Sequence, residues 1–205
     1  MRVTAQAKAA TRNRILQAAR RLFADNGYEA TTTRDIAQAA EIATGTLFNY
    51  FPTKEAVVAC LANEALGGAL ADAQCDASEN ATLEEELFAL VAMALRKLKP
   101  LRRHLPALLE TSLSPLAATS DDNSTSIRVA HLEAVSALAA KHGHGELPAT
   151  ALQLYWTLYT GVLVFWASDK SPKQEDTLAL IDDSLNMFIG WLGEETQVDS
   201  TPRRK

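Results

Sequence analysis

Cysteine is scarce in this chain. Cys60 and Cys75 are the only two among 205 residues, and their separation matches neither a metal-ligand pair nor a disulfide framework. No apolar run reaches the roughly 18 residues needed to span a bilayer. The first residues, MRVTAQAKAATRNR, carry charge with no apolar core behind them, so neither a membrane span nor a signal peptide is expected. Strand alternation and internal repeats are also missing. No Glu-x-x-His pair, nucleophile elbow or phosphate-binding loop is present, which leaves di-iron or hydrolase chemistry on a helical bundle little to stand on. These absences point to a soluble cytoplasmic protein that is not an enzyme and carries no cofactor or metal. What is there is 47% hydrophobic residues with Ala and Leu dominant, the composition of packed helices in a chain long enough to bury a core.

Positive charge is short overall, with 20 Lys and Arg against 25 Asp and Glu, a net of -5. The average hides an asymmetry. Residues 1–55 hold eight basic against five acidic residues, or +3, whereas residues 56–205 hold twelve against twenty, or -8. A basic head on an acidic body suits a protein that offers only its head to a polyanion.

Periodicity and capping signals predict an all-α chain of about nine helices. Residues 1–10 read as a flexible basic arm. An amphipathic helix follows from about Thr11, with Ile15, Ala18, Ala19, Leu22 and Phe23 on one stripe and Gly27 as its stop. Thr32 and Asp35 make a capping box for a second helix that turns Ile36, Ala37 and Ala40 inward. In the third helix, Leu47 and Phe51 stand four apart and point to the core, which turns Thr44, Gly45, Thr46, Phe48 and Asn49 outward. Thr53 caps a longer helix to about Ala73, and Asp76–Ala81 reads as a loop. Thr82 and Glu85 box a helix that Pro100 stops, with Glu84, Glu85 and Glu86 favouring its start. A segment around Pro106 leads to Ser114-Pro115 and a polar stretch to Ser126, expected to be disordered. Ile127–Lys141 is helical, and His142 and His144 read as a solvated turn. Pro148–Ser168 is apolar with five large aromatics. Ser171, Pro172 and Gln174 open a last helix to Leu192, and 194–205 is a flexible charged tail.

The stretch from Thr31 to Glu55, TTTRDIAQAAEIATGTLFNYFPTKE, has the layout of a helix-turn-helix DNA reader: a short capped helix, a tight turn and a second short helix. Phe23 and Gly27 closing the first helix, TTTRDIA at 31–37, GTLFNYF at 45–51 and Lys54 at the exit together resemble the TetR family of one-component transcriptional regulators. The resemblance in motif covers about residues 11–57 and is architectural beyond. It implies a DNA-binding domain at 11–55 and a ligand-binding and dimerisation domain at 56–193. It implies that the third helix lies in the major groove, with Thr44, Gly45, Thr46, Phe48 and Asn49 facing bases. Thr32, Thr33, Arg34, Tyr50 and Lys54 then fall where the family meets phosphates. Three positions depart from its pattern. Glu41 stands where the turn usually has Gly, and costs about 1 kcal/mol if φ is positive there. Ala43 replaces a common capping Ser, so that Thr44 would cap instead. Phe48 replaces the frequent Tyr.

The partners expected are double-stranded DNA with a near-palindromic operator, a second copy of the chain, and a small-molecule effector that releases a repressor; repression and activation stay open. Leu152, Val162, Leu178, Ile181, Leu185, Phe188 and Ile189 are the expected dimer face on the last two helices. Phe88, His104, His131, Trp156 and Tyr159 are the expected effector pocket. For the late aromatics, packing and ligand contact both remain open. Cys60 reads first as a buried small hydrophobe, with a thiol switch as the alternative. A helical adaptor that does not bind DNA is the remaining rival, supported by Glu41 and by the net acidity.

Overall fold

A computed structural model describes residues 4–75, 80–104 and 122–199, with side chains over 4–73, 80–102 and 127–193. Every regular element among them is helical. The eight α-helices are α1 Ala5–Asn26, α2 Thr33–Ala39, α3 Thr44–Phe48, α4 Lys54–Cys75, α5 Leu83–Leu98, α6 Asp122–Lys141, α7 Ala149–Ser168 and α8 Glu175–Asp199. Short 3-10 turns occupy Lys99–His104 and Pro172–Gln174. The segment around Pro106 and Ser114-Pro115, most of the loop at 76–81, the His104 side chain and residues 200–205 lie outside the described residues.

The chain divides into two compact units, Met1–Glu64 and Ala65–Lys205. In the first, α1 begins at Ala5, not near Thr11, because Thr4 caps it by accepting from the Ala7 amide at 3.2 Å. Much of the expected arm is therefore helix. Ile15, Leu16, Ala18, Ala19 and Phe23 are its buried stripe, and Gly27 at φ 83° ends it with an amide bond to the Phe23 carbonyl. Thr32 and Asp35 form the capping box of α2 in both directions, and these hydrogen bonds hold the Asp35 carboxyl below its usual range. The Lys54–Ala73 part of α4 is long and apolar enough, by length and composition, to cross a bilayer. It carries Glu64, however, which pairs with Arg20 at 3.2 Å and Arg12 at 3.6 Å. Half of the window is buried in protein, so it reads as a core helix.

In the second unit, Thr82 and Glu85 form the expected box, and Leu87, Leu90, Val91, Ala94 and Leu98 face inward from α5. Glu86 does more than favour a helix start. It is buried, takes a 2.6 Å hydrogen bond from Lys141 and lies 2.8 Å from His142 Nε2, so the turn after α6 is fastened to α5 and is not simply solvated. α6 starts at Asp122, inside the stretch expected to be disordered. The start of α8 also differs from expectation. Lys173 and Gln174 adopt positive φ, so the Ser171-Pro172 signal makes a 3-10 turn, and α8 proper begins at Glu175. Asp169 supplies the cap: its carboxylate accepts from the Ser171 amide and from the amide and hydroxyl of Thr177, which brings its carboxyl down to about 2.

α7 fills the core of this unit with Tyr155, Trp156, Tyr159, Val162, Leu163 and Trp166, against Ile181, Leu185, Phe188 and Leu192 of α8. This overturns part of the expected dimer face. Val162, Ile181, Leu185 and Phe188 are buried within a single copy, Leu185 being only 4% exposed, so none of them is open to a partner. An apolar stripe on an amphipathic helix faces its own core first, and sequence periodicity does not say which apolar stripe that is.

His131 of α6 is buried in this aromatic layer, and burial lowers its imidazole to about 4. Its pKa in the unfolded chain is near 6.5, so between pH 6.5 and 4 the unfolded chain binds a proton that the folded chain does not. Stability should therefore fall on acidification through that window, by up to about 3 kcal/mol from this one group. His131→Gln should flatten the pH dependence of the urea midpoint between pH 7 and 5. An unchanged slope would mean that the imidazole is not held neutral by the fold.

Candidate nucleic-acid interface

Three short elements position the candidate site. α2 ends at Ala39, and Ala40 leads to Glu41, whose φ of 56° turns the chain sharply. The left-handed turn that a glycine would adopt freely is thus kept by a glutamate, at a cost of about 1 kcal/mol. The Ile42 amide then donates to the Ala37 carbonyl at 3.0 Å and Leu47 to Ala43 at 3.1 Å, which ties turn and α3 together. Leu47 is fully buried and Phe51 nearly so, which fixes the rotation of α3 about its axis.

The remaining residues of α3 face out as the spacing predicts. Gly45, Phe48 and Asn49 are exposed and Thr44 and Thr46 half-buried. Phe48, at 46% exposure, is a large apolar ring left in water. Thr44 does not cap α3: Ala43 holds the N-cap position with no side-chain hydrogen bond, which leaves Thr44 as the first helical residue. A Cβ built on Gly45 meets nothing within 4 Å, so nothing inside the protein requires glycine there.

The expected phosphate group divides. Arg34 is exposed, and Thr33 and Tyr50 are half-buried. Thr32 is occupied by its capping box: its hydroxyl accepts from the Asp35 amide and donates to the Asp35 carboxylate at 2.7 Å. Lys54 is occupied too. Its ammonium donates to the carbonyls of Tyr28 at 3.0 Å and Thr31 at 3.1 Å and lies 3.8 Å from the centre of the Tyr28 ring. A charge-assisted pair of hydrogen bonds over an aromatic face makes Lys54 a fastener between the start of α4 and the loop before α2. Tyr28, which sequence reasoning passed over, completes the fastening by packing on Phe23 and donating to Glu55 at 2.8 Å. Burial, and then Glu55, push the Tyr28 phenol up.

Arg12 and Arg20 are likewise engaged, both with Glu64, and Arg12 also reaches the Cys60 sulfur and lies over the Phe51 ring. Lys8, Arg14, Arg20, Arg21 and Arg34 are the exposed cations of the described head, and of these Arg20 is the one paired with Glu64. Arg14 and Arg21 flank an open groove of about 380 Å³ that Glu41 also lines.

In the second unit, three of the five expected pocket residues come together. His131 stacks on Tyr159 at 4.4 Å and meets Trp156 edge-on at 5.9 Å. Phe88 is half-buried on α5, outside this group, and the His104 side chain lies outside the described residues. Of the expected dimer residues, Leu178 is exposed and Leu152 and Ile189 are half-buried. Val164, Phe165 and Met187, the last 69% exposed, are apolar residues in water that the periodicity did not single out.

Comparison with known proteins bears on this geometry. Residues 15–61 match the family of bacterial regulatory proteins called the tetR family. The HTH-type transcriptional repressor KstR2 of Mycolicibacterium smegmatis is 48% identical over 50 residues, 24% of this chain and 24% of that protein. The fatty acid metabolism regulator protein of Bacillus subtilis is 33% identical over 78 residues, 38% of this chain and 40% of that one. The match thus spans well under half the length of these curated relatives. Across the whole chain the likeness is one of fold. FadR of Thermus thermophilus, a TetR family transcriptional repressor solved with lauroyl-CoA, superposes with a TM-score of 0.63 at 22% identity, covering 87% of this chain and 93% of that one. A TetR transcriptional regulator from Rhodococcus sp. RHA1 gives 0.66 at 20% identity, covering 88% and 97%.

The engagement of Lys54 predicts that Lys54→Ala lowers the unfolding free energy by about 2 kcal/mol through the lost charge-assisted bonds. The slope of log affinity against log salt for duplex DNA should stay unchanged. Unaltered stability with a slope shallower by about one would return Lys54 to the phosphates.

Proposed function

We propose that this chain, which belongs by its N-terminal domain to the tetR family of bacterial regulatory proteins, is a sequence-specific DNA-binding transcriptional regulator. In this reading it is a cytoplasmic repressor that binds a near-palindromic operator as a homodimer and leaves it when a small-molecule effector binds. The observation that carries the reading is the face of α3 set by Leu47 and Phe51, with an exposed Phe48 and a glycine that the protein itself does not need. Asn49 suits bidentate pairing with adenine, and Phe48 and the Thr44 and Thr46 methyls suit thymine methyls. Gly45 lets the backbone come close to the base edges. Thr33, Arg34 and Tyr50 hold phosphates, while Thr32 and Lys54 hold the head together. Residues 11–55 are the DNA-binding domain, with 1–10 leading into it. Residues 56–193 bind effector and partner copy, followed by the tail at 194–205.

The dimer face shifts from the buried stripe to the exposed one. On α7, Leu154, Gly161, Val164 and Phe165 fall on one side, and on α8, Leu180, Met187 and Trp191 do so. Isolated apolar side chains in water need no explanation, but stripes on the last two helices that are exposed at Val164, Phe165 and Met187 and half-buried at Leu154, Leu180 and Trp191 suit a twofold contact. The effector acts by shifting the population of dimers whose two heads fit successive turns of DNA.

Selection of genomic fragments by the purified chain should return one near-palindromic motif. Gly45→Ala is the sharper test. It should raise stability by about 1 kcal/mol, as alanine does in a helix, and still lose operator binding; a variant that binds as tightly as the original would remove α3 from the groove.

Met187→Arg should keep its helical circular dichroism, sediment at half the mass and lose operator affinity. Leu185→Arg should unfold instead, because it puts a charge in the core of one copy. A Met187→Arg protein that remains a dimer places the interface elsewhere.

A further inference from the structure

Two arginines of the head stand without partners among the described residues. Arg14 and Arg21 are exposed on α1, and neither guanidinium has a hydrogen-bond or ion-pair partner there. Their neighbours Arg12 and Arg20 on the same helix are held by Glu64. Arg14 and Arg21 are two helical turns apart, so they share one face of α1 with their Cα atoms about 10 Å from each other. Both line the open groove of about 380 Å³, with Gln17 between them and Glu41 on the side of the α2–α3 turn.

Chain length fixes where this groove lies. Glu41 comes three residues before Thr44, the first residue of α3, and three residues span at most about 11 Å. The groove therefore adjoins the N-terminal end of α3. A helix about 10 Å across fills a major groove about 12 Å wide, which brings the phosphate rims within reach of long side chains beside its end.

We infer that the groove between Arg14 and Arg21 seats the sugar-phosphate backbone of duplex DNA, with these two arginines as positioning residues beside the bases that α3 reads. The inference rests on the reading of the chain as a DNA-binding regulator and adds a second hold on the duplex. A guanidinium is a planar fork that takes phosphate oxygens two at a time. Two of them spaced along one helix face suit a row of phosphates better than one small anion. The groove is also open, whereas the pocket of a small ligand encloses most of it. Glu41 works against the arginines. Its carboxylate lines the same groove, and its φ of 56° is one that glycine adopts freely, so the backbone does not call for a glutamate. The carboxylate subtracts part of the attraction for every sequence alike, because phosphates carry no base information.

Fluorescence anisotropy of the full chain over a salt series tests this, with a random-sequence duplex and the duplex returned by genomic selection as probes. Arg14→Gln and Arg21→Gln should each make the slope of log affinity against log salt shallower by about 0.9. Neither should change the melting temperature, since neither side chain holds the fold. Glu41→Gln should tighten both duplexes by up to about fivefold at low salt, the worth of an exposed charge contact. Lys170→Gln removes one exposed charge from the second unit and should leave the slope alone. Slopes unchanged in both arginine variants, an equal change in Lys170→Gln, or weaker binding by Glu41→Gln would each overturn the inference. Arginine-dependent capture of polyglutamate with duplex slopes unaltered would give the groove to an acidic protein and overturn it as well. The two readings fail separately. An enriched motif whose salt slope ignores both arginines sinks the groove and leaves the regulator. Arginine-dependent slopes in a chain that enriches no sequence leave the groove and sink the regulator.

Discussion

A helix of five residues has no stability of its own, because nucleation costs more than one turn of hydrogen bonds returns. α3 exists because Leu47 is buried completely and the chain on either side is tied down. Before it, the Glu41 turn is held by amide bonds back into α2; after it, Phe51 enters the core with its amide on the Leu47 carbonyl. Leu47 and Phe51 together set the outward face of α3. Rotate Leu47 away by one position and Phe48 would turn inward, with Gly45 and Asn49 displaced from the surface they share. What the head presents to DNA in the proposed function therefore depends on Leu47 and Phe51 keeping their places.

The fastening of Lys54 belongs to the same logic. The loop between α1 and α2 has carbonyl groups without helical partners, and two of them, on Tyr28 and Thr31, receive one ammonium. The Thr31 hydroxyl reaches back to the carbonyls of Gly27 and Leu22. Three elements are thereby joined through backbone atoms, with no large apolar contact needed. A small helical domain has little core to spend on its loops, so polar side chains do that work.

Local signals in the sequence were legible where the physics is local. The capping boxes at Thr32 and Thr82, the stop at Gly27 and the burial of Leu47 and Phe51 all follow from a few neighbouring residues, whereas the positive φ at Glu41 was suggested only by the family resemblance. The same reasoning failed where a residue's partner lies far along the chain. Lys54 looks like a free cation until the carbonyls 23 and 26 residues earlier come into view. Glu86 looks like a helix-start charge until Lys141 and His142 reach it. On α8, two stripes are apolar, and choosing Leu185 over Met187 as the outer one needs the position of α7, which periodicity does not carry. The Ser171-Pro172 signal shares the start of α8 with Asp169, whose carboxylate takes two amides and a hydroxyl while the Ser171 hydroxyl takes the Asp176 amide at 3.1 Å.

These corrections alter the energetic picture of the head. A count of charges gives +3, but Arg12 and Arg20 are turned to Glu64 and Lys54 to carbonyl groups, so fewer cations stand ready for a polyanion than the composition suggests. On the proposed function, a single head then gains modest affinity from phosphates and must draw more on fitted contacts by α3. Fitted contacts over one short helix are few. Joining two heads through one body makes the second contact intramolecular, which multiplies affinity with no new side chain. It also makes affinity sensitive to the spacing between heads, because the gain vanishes when both cannot engage at once. A head with few free charges is thus the one most readily released by a change elsewhere in the protein, since little non-specific attraction remains to hold it once the spacing is lost.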